Sequence, residues 1–274
     1  MFNHILPALG LLGLLGWVYV RYLAPGFRRL RAYIDEISTC GCLPPPPSPR
    51  AVKFLYNFAR VVTWIQVGKV KTIGLENLNV PGPKIVAPNH PHYVDPAVVV
   101  LLLKRQPARY MAARGVFRFG FGLGSLIAAP TGAFPVDLTP GKGGPAREAG
   151  VRVLTSGQTL VMFPEGWAYL DGSLGPFKKG AVRIAREAAR QLKDTVHIVP
   201  VYLRYGRYPG SWIKKLSPPL EYLFVFLMSW YYRRGVTAVI GKPISSSELP
   251  ADDAAATELL KQRIVALDPA QGQA

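Results

Sequence analysis

Acidic residues are scarce in this chain: 16 against 33 lysines and arginines, for a net charge of +17 and a pI near 10.1. That imbalance calls for an anionic partner, whether nucleic acid, acidic lipid, or an acidic protein or substrate. Cysteine is nearly missing as well. Cys40 and Cys42 are too few for a disulfide framework or a four-ligand zinc site. With one residue between them they are expected to be free thiols in a reducing compartment. Histidine is equally sparse: His4 and His197 have no ligand spacing, and His90, His92 and Asp95 lack a convincing fourth partner, so no metal site is expected. No P-loop precedes Gly141-Lys142, and Ser125 in Gly122-Leu123-Gly124-Ser125-Leu126 lacks the second glycine of a nucleophile elbow. No RNA- or DNA-binding signature and no internal repeat is present.

Long hydrophobic runs are also short of what a bilayer demands. Ile5 to Val20 is apolar apart from glycines, Pro7 and Trp17, which is marginal against the roughly 20 residues a spanning helix needs. Arg21, Arg28, Arg29 and Arg31 follow the run instead of preceding it, and no small-residue cleavage site stands out. That order argues against a signal peptide and for an uncleaved anchor, spanning or monotopic, with the rest of the chain on the cytoplasmic side. A greasy N-terminus suits an anionic membrane surface better than nucleic acid.

At 49% hydrophobic, the remainder has material for a sizeable core. Pro44 to Pro47 and Pro49 form a stiff extended spacer, so the expected division is 1–49 as anchor and spacer and 50–274 as the main domain. Phe54, Leu55, Phe58, Val61, Val62 and Ile65 fall at helical spacings within Arg50 to Val67. Two readings of that helix stay open, one lying in a membrane interface and one packing on the domain. From Lys84 onward short apolar runs alternate with helical stretches. Expected strands are Lys84–Pro88, Arg109–Ala112, Ala133–Val136, Thr159–Phe163, His197–Leu203 and Thr237–Ile240. Expected helices are Pro96–Lys104, Val116–Ala128, Arg147–Leu154, Lys178–Leu192 and Ala254–Leu267. This alternation predicts an α/β domain with a largely parallel sheet. Leu220 to Tyr232 is too short to span a bilayer, and its aromatic end beside Arg233 and Arg234 suits either a headgroup boundary or a buried helix with an aromatic edge.

Four short motifs carry the chemistry. They are Asn89-His90-Pro91-His92-Tyr93-Val94-Asp95, Gly132-Ala133-Phe134-Pro135-Val136-Asp137, Phe163-Pro164-Glu165-Gly166 and Ile198-Val199-Pro200-Val201. On one helix His90 and Asp95 would point apart. Pro91 and Pro96 bias the residues before them towards extended backbone, so a folded loop that brings imidazole and carboxylate together is expected. A carboxylate on one ring nitrogen fixes the tautomer and steadies the imidazolium formed when the other takes a proton. Histidine, which ordinarily titrates near neutrality, suits a general base that activates a hydroxyl. Asp95-Pro96 also reads as the N-cap and first residue of the next helix, a reading compatible with the first. Pro164 keeps Phe163 extended, and Gly166 permits a sharp turn.

In order and spacing these motifs resemble the lysophosphatidate (1-acylglycerol-3-phosphate) acyltransferase family of glycerolipid acyltransferases. The likeness runs from about residue 70 to 245. It includes Leu174-Gly175-Pro176-Phe177-Lys178-Lys179-Gly180-Ala181 after the third motif and Gly241-Lys242-Pro243-Ile244 near the end. The resemblance implies a mixed α/β domain with a central sheet, anchored by N-terminal helices. It implies His90 as base and Asp95 as its orienter, with a hydroxyl attacking the thioester of acyl-CoA or acyl carrier protein. Neither cofactor nor metal is implied. The acceptor would meet Glu165, Gly166, Trp167, Arg114, Lys178 and Lys179, while Asn89, Gly132, Phe163, Pro164 and Pro200 shape the motifs. Two family arginines that hold an acceptor phosphate are missing: Leu138 follows Asp137, and Trp167 and Ala168 follow Gly166. A lysophospholipid or lysoglycolipid acceptor is therefore expected ahead of lysophosphatidate, unless Arg114, Lys178, Lys179 or Arg183 binds phosphate from another direction. A non-catalytic lipid-binding protein on the same fold remains the alternative, and a nucleic-acid binder the remotest one.

Overall fold

The computed structural model describes residues 21, 24–118, 128, 130–139, 141–216 and 218–270. The expected anchor at Ile5 to Val20 lies outside them, as does most of the expected helix Val116–Ala128. Among the described residues no helix is long and apolar enough to cross a membrane.

Two helices open the described chain, α1 (Ala24–Cys40) and α2 (Pro49–Gln66). Ser48 starts α2 by accepting a hydrogen bond from the Ala51 N–H at 3.2 Å, with proline at the first helical position. Between the helices the proline segment has no regular secondary structure, and it is laid on the domain. Buried Arg109 donates from Nη1 to the carbonyls of Pro44 at 2.7 Å and Pro45 at 3.1 Å. The expectation of free thiols is corrected. Helix α1 ends at Cys40, the chain turns at Gly41, and Cys40 and Cys42 come within 5.2 Å Cα to Cα and are joined as a disulfide.

The strands are β1 (Val70–Ile73), β2 (Lys84–Pro88), β3 (Ala108–Ala113), β4 (Phe134–Val136), β5 (Thr159–Val161), β6 (His197–Tyr205), β7 (Val236–Ile240) and β8 (Ile244–Ser245). Among the described residues they form one sheet in the order β1-β7-β6-β2-β5-β3-β4, with β8 on β6. Strands β6, β2, β5, β3 and β4 are mutually parallel, and β7 runs antiparallel to β6. The mostly parallel α/β expectation holds. The sequence reading missed β1, an edge strand with a lysine and three exposed residues, and the two-residue β8.

Both faces of the sheet are covered, which is why β2 and β6 read as unbroken apolar runs instead of alternating ones. One face packs on α5 (Gly144–Thr155), α6 (Gly180–Leu192) and α9 (Asp253–Val265), through Leu154, Leu160, Ile184, Ile198 and Leu260. The other packs on α3 (Asp95–Leu102), through Val86, Val98, Val99, Val161 and Leu203. Helix α1 lies against β4, α5 and the short α4 (Arg114–Arg118). Helix α2 covers α3, using Ala59, Thr63 and Gln66 as its inner face. Helices α7 (Pro218–Leu227) and α8 (Ser229–Tyr232) follow β6, and α8 rests on α2.

Candidate active site

In an open parallel sheet, ligands gather outside the carboxyl ends of the strands. The first three motifs all leave strands at that edge: His90 after β2, Glu165 after β5 and Asp137 after β4. The fourth, centred on Pro200, lies within β6 beside β2, with Pro200 paired to Ala87. Proline lacks an N–H to give the ladder, and its carbonyl accepts from Gly241 N–H at 2.9 Å.

The loop after β2 begins with a pin. Buried Asn89 uses its side-chain amide as a ladder rung, its Oδ1 accepting from Leu203 N–H at 2.6 Å and its Nδ2 donating to the Leu203 carbonyl at 3.3 Å. The chain then folds back, as the prolines imply. His90 Nδ1 meets Asp95 Oδ2 at 2.8 Å, and the His90 ring stacks on Phe163 with centroids 4.2 Å apart. Asp95 is not extended and is not the cap. Val94 occupies the cap, and Asp95 is the first residue of α3, its backbone N–H reaching the His92 carbonyl at 3.2 Å. Its carboxylate points back into the loop.

Asp95 is fully buried, which for a charge requires several donors. Besides His90, its Oδ2 accepts from His92 N–H at 2.8 Å, and its Oδ1 accepts from the Tyr205 hydroxyl. Burial, then the charge of Asp95, keeps the Tyr205 hydroxyl protonated well above its ordinary range, so it stays a donor. His92 is also buried. Its Nδ1 accepts from Val94 N–H at 3.1 Å, its ring stacks on Tyr205, and burial pushes its pKa down to about 4. An ionised Asp95 accepts from the Nδ1–H of His90, which leaves the lone pair on Nε2 to receive a proton.

Glu165 was expected at the acceptor, yet it is 2% exposed and both its oxygens are occupied. Oε1 accepts from His90 N–H and Oε2 from Gly175 N–H, each at 2.7 Å. It thus ties the histidine loop to the loop after the third motif. Burial raises its pKa, and those two N–H bonds oppose the rise. Tyr169 N–H closes the same junction on the His90 carbonyl at 2.7 Å. Gly166 has φ +69°, and a Cβ there would meet Lys178 Nζ at 2.8 Å, so the turn needs glycine and the lysine stem covers it. Gly132, at φ +81°, admits Pro47 and Arg109 equally closely and seats the proline segment on the second motif.

The remaining expected acceptor residues scatter. Trp167 is exposed beside the third motif, whereas Ala168 is buried with Leu170, Ile213 and Val225. Arg114 stands at the end of β3, two strands along the sheet from β2. There its guanidinium meets Asp35 at 2.6 Å and Asp137 at 3.6 Å. Lys179 caps α6, and Arg183 pairs with Asp253 at 2.6 Å. Among the described residues no group of three His, Cys, Asp or Glu side chains could hold a metal ion.

Sequence reasoning missed Tyr205, although a hydroxyl ending a buried strand, two residues beyond the partner of Asn89, was a usable signal. It also missed Tyr93, whose hydroxyl donates to Glu221 on α7 across 128 residues of sequence, and nothing local announces that bond.

The site is thus a histidine–aspartate pair at the carboxyl edge of a doubly covered, mostly parallel sheet. Residues 69–204 match the family described as Acyltransferase. A chloroplastic 1-acyl-sn-glycerol-3-phosphate acyltransferase of Brassica napus is 29% identical over 134 residues, covering 47% of this chain and 36% of that protein. A chloroplastic counterpart in Arabidopsis thaliana is 27% identical over 139 residues, covering 49% and 36%. The match spans about a third of the length of these curated relatives. The crystal structure of the 1-acyl-sn-glycerophosphate acyltransferase PlsC from Thermotoga maritima superposes with a TM-score of 0.57 at 19% identity, over 80% of this chain and 79% of that one. Over this stretch the chain is similar to lysophosphatidate acyltransferases, and with the solved structure it shares the fold.

Proposed function

We propose that this protein is a membrane-associated O-acyltransferase that moves a fatty acyl group from acyl-CoA or acyl carrier protein to a hydroxyl of a lyso-lipid. One observation carries the reading: the 2.8 Å contact between His90 Nδ1 and a buried Asp95 at the carboxyl edge of the sheet. His90 Nε2 takes the proton of the acceptor hydroxyl as its oxygen attacks the thioester carbonyl carbon. The tetrahedral intermediate collapses, the C–S bond breaks, and the departing thiolate recovers the proton from the imidazolium. Ester and thiol are the products, and no covalent enzyme intermediate is required. Asp95 fixes the tautomer and steadies the imidazolium. Glu165 and Asn89 act through the backbone by holding the histidine loop in place.

The acceptor reading rests on charge. Arg114 is met by two carboxylates, and the position after Trp167 is a buried alanine. Exposed Trp167, with Lys178 over Gly166, suits a headgroup larger than a phosphate monoester, by stacking on a sugar or by cation–π contact with an amine. Residues 1–49 serve as membrane anchor and spacer, and 50–274 form the acyltransferase domain on the cytoplasmic face. The test is purified protein with acyl-CoA or acyl carrier protein, a panel of lyso-lipids, and mass spectrometry of the products. Substituting His90→Ala should reduce transfer by about 10³-fold or more. Transfer at the wild-type rate would end the mechanism, and no thioester consumption with any lipid would favour the non-catalytic alternative.

A further inference from the structure

We infer that the outer faces of α7, α8 and α2 form one bilayer-docking surface, and that an anionic lipid membrane is its occupant. The inference rests on the acyl-transfer reading for its purpose, but on separate residues for its evidence.

Helix α7 carries apolar residues on both sides, with one buried acid on the inner one. Glu221 and Val225 face inward, Glu221 bonded to Tyr93 of the histidine loop and Val225 packed with Ala168 and Leu170. Leu220, Leu223 and Leu227, at i, i+3 and i+7, face outward and are more than half exposed. Trp230 on α8 continues the stripe at 72% exposure. Helix α2 does the same. Small and polar residues pack inward, while Phe54, Phe58, Val61 and Trp64 lie outside, Trp64 at 61% exposure.

The two faces are joined. The Arg233 guanidinium lies 4.5 Å from the Trp64 ring centre, and its Nε donates to the Trp64 carbonyl at 2.9 Å. Arg207 sits 4.1 Å over Tyr231. The result is contiguous aromatic and leucine surface edged by Arg60, Arg207, Arg233 and Arg234, on a chain of net charge +17. A water-facing surface does not hold that much apolar area without a partner. Tryptophan and tyrosine interleaved with arginine suit the headgroup boundary, and the arginines choose an anionic one. An open groove of about 680 Å³, lined by Arg60, Val61 and Trp64 together with Thr63, Val70 and Leu101, opens where α2 meets the domain. Because Glu221 holds Tyr93, this surface would set the histidine loop beside the lipid that supplies the acceptor.

The full chain, in phosphatidylcholine–phosphatidylglycerol vesicles brominated along their acyl chains, tests this. Bromine quenches indole emission on contact. Trp230→Phe should remove part of the quenchable emission, and an unchanged quenchable fraction overturns the inference. Leu227→Gln with Trp230→Gln should lower transfer to vesicle-embedded lyso-lipid about tenfold. The rate on a short-chain lyso-lipid dispersed below its micelle concentration should stay at the wild-type value. Equal loss on both substrate forms overturns the inference, as does a wild-type dimer that the double substitution turns into a monomer, since a second copy would then be the occupant. Quenching as expected, with no acyl transfer to either substrate, supports the surface and overturns the acyl-transfer reading instead.

Discussion

Two regions of this molecule solve opposite problems with similar residues. At the carboxyl edge of the sheet, buried polar groups are met almost atom for atom: Asp95 by three donors, Glu165 by two, Asn89 by the N–H and C=O of Leu203. On the outside of α2, α7 and α8, large apolar groups have no protein cover. The first region holds one geometry because any departure strands a buried charge or dipole. In the second, the large side chains turned outward are not part of the sheet's packing, so they can change without disturbing the sheet. Perturbing the interior should therefore move stability and rate together, whereas perturbing the outside should move only membrane-dependent behaviour.

The widest separation should come from pH. His92 is buried and neutral with a pKa near 4, against an ordinary value near 6.5 in the unfolded chain. Between those values the unfolded state binds the extra proton, so stability falls as pH drops through that window. At about 1.4 kcal/mol per unit, the loss approaches roughly 3 kcal/mol near pH 4. Glu165 works the other way, because burial raises its pKa and the folded state takes up its proton first. Thermal melts across this range should show the decline in wild type and in Trp230→Phe alike. His92→Asn, whose side-chain oxygen can replace Nδ1 as acceptor for Val94 N–H, should flatten it. A decline just as steep in His92→Asn would remove His92 as its source.

Next in size is Glu165→Gln. One carboxylate oxygen becomes an NH₂ group that faces an N–H donor, either at His90 or at Gly175. Leaving a buried donor unmet costs about 1–3 kcal/mol. The loop carrying His90 loosens, so kcat should fall about 10- to 100-fold while KM for the acyl donor changes little. An unchanged kcat with a lowered Tm would make Glu165 a strut for the loop after the third motif alone.

How far the sequence foretold each region follows from where its information lies. Strand β2 was legible residue for residue because a strand covered on both faces reads as a short apolar run between breakers. The pairing of His90 with Asp95 was anticipated, although the extended backbone expected of Asp95 before Pro96 is not what brings it about, since Asp95 is helical. Its details were not: Asp95 entered the helix, and one of the three donors that hold it, Tyr205, arrives from β6 more than 100 residues away. Glu165 looked like a solvated or substrate-facing acid because nothing near it in sequence shows that two backbone N–H groups converge on it. Helix α2 was legible as a helix but ambiguous in orientation. Its apolar stripe would normally face the core, and here Ala59, Thr63 and Gln66 do so instead. The cysteines were misjudged because spacing alone did not reveal that the helix ends at the first of them and the chain turns at once.

The smallest effect is the sharpest test of how the interior region works. Tyr205 O–H donates to Asp95 Oδ1, while Oδ2 holds His90. A donor on one carboxylate oxygen withdraws charge from the other, so Tyr205 limits how strongly Asp95 favours a protonated imidazole. Tyr205→Phe deletes that donor and keeps the ring stacked on His92. The neighbouring titratable groups stay in place: His92 and His90 on the loop, Glu165 behind the His90 N–H, and Tyr208, whose hydroxyl accepts from Tyr205 N–H at 3.3 Å. With more charge left on Asp95, the imidazolium is favoured, and the acid limb of kcat/KM should move to higher pH by about half to one unit, the scale of one net hydrogen bond near 1 kcal/mol. A merely structural tyrosine would lower Tm and kcat with the limb unmoved, and a shift to lower pH would mean that Asp95 does not set the proton affinity at this site. Trp230→Phe, at the other end of the comparison, should leave the profile where it is in wild type.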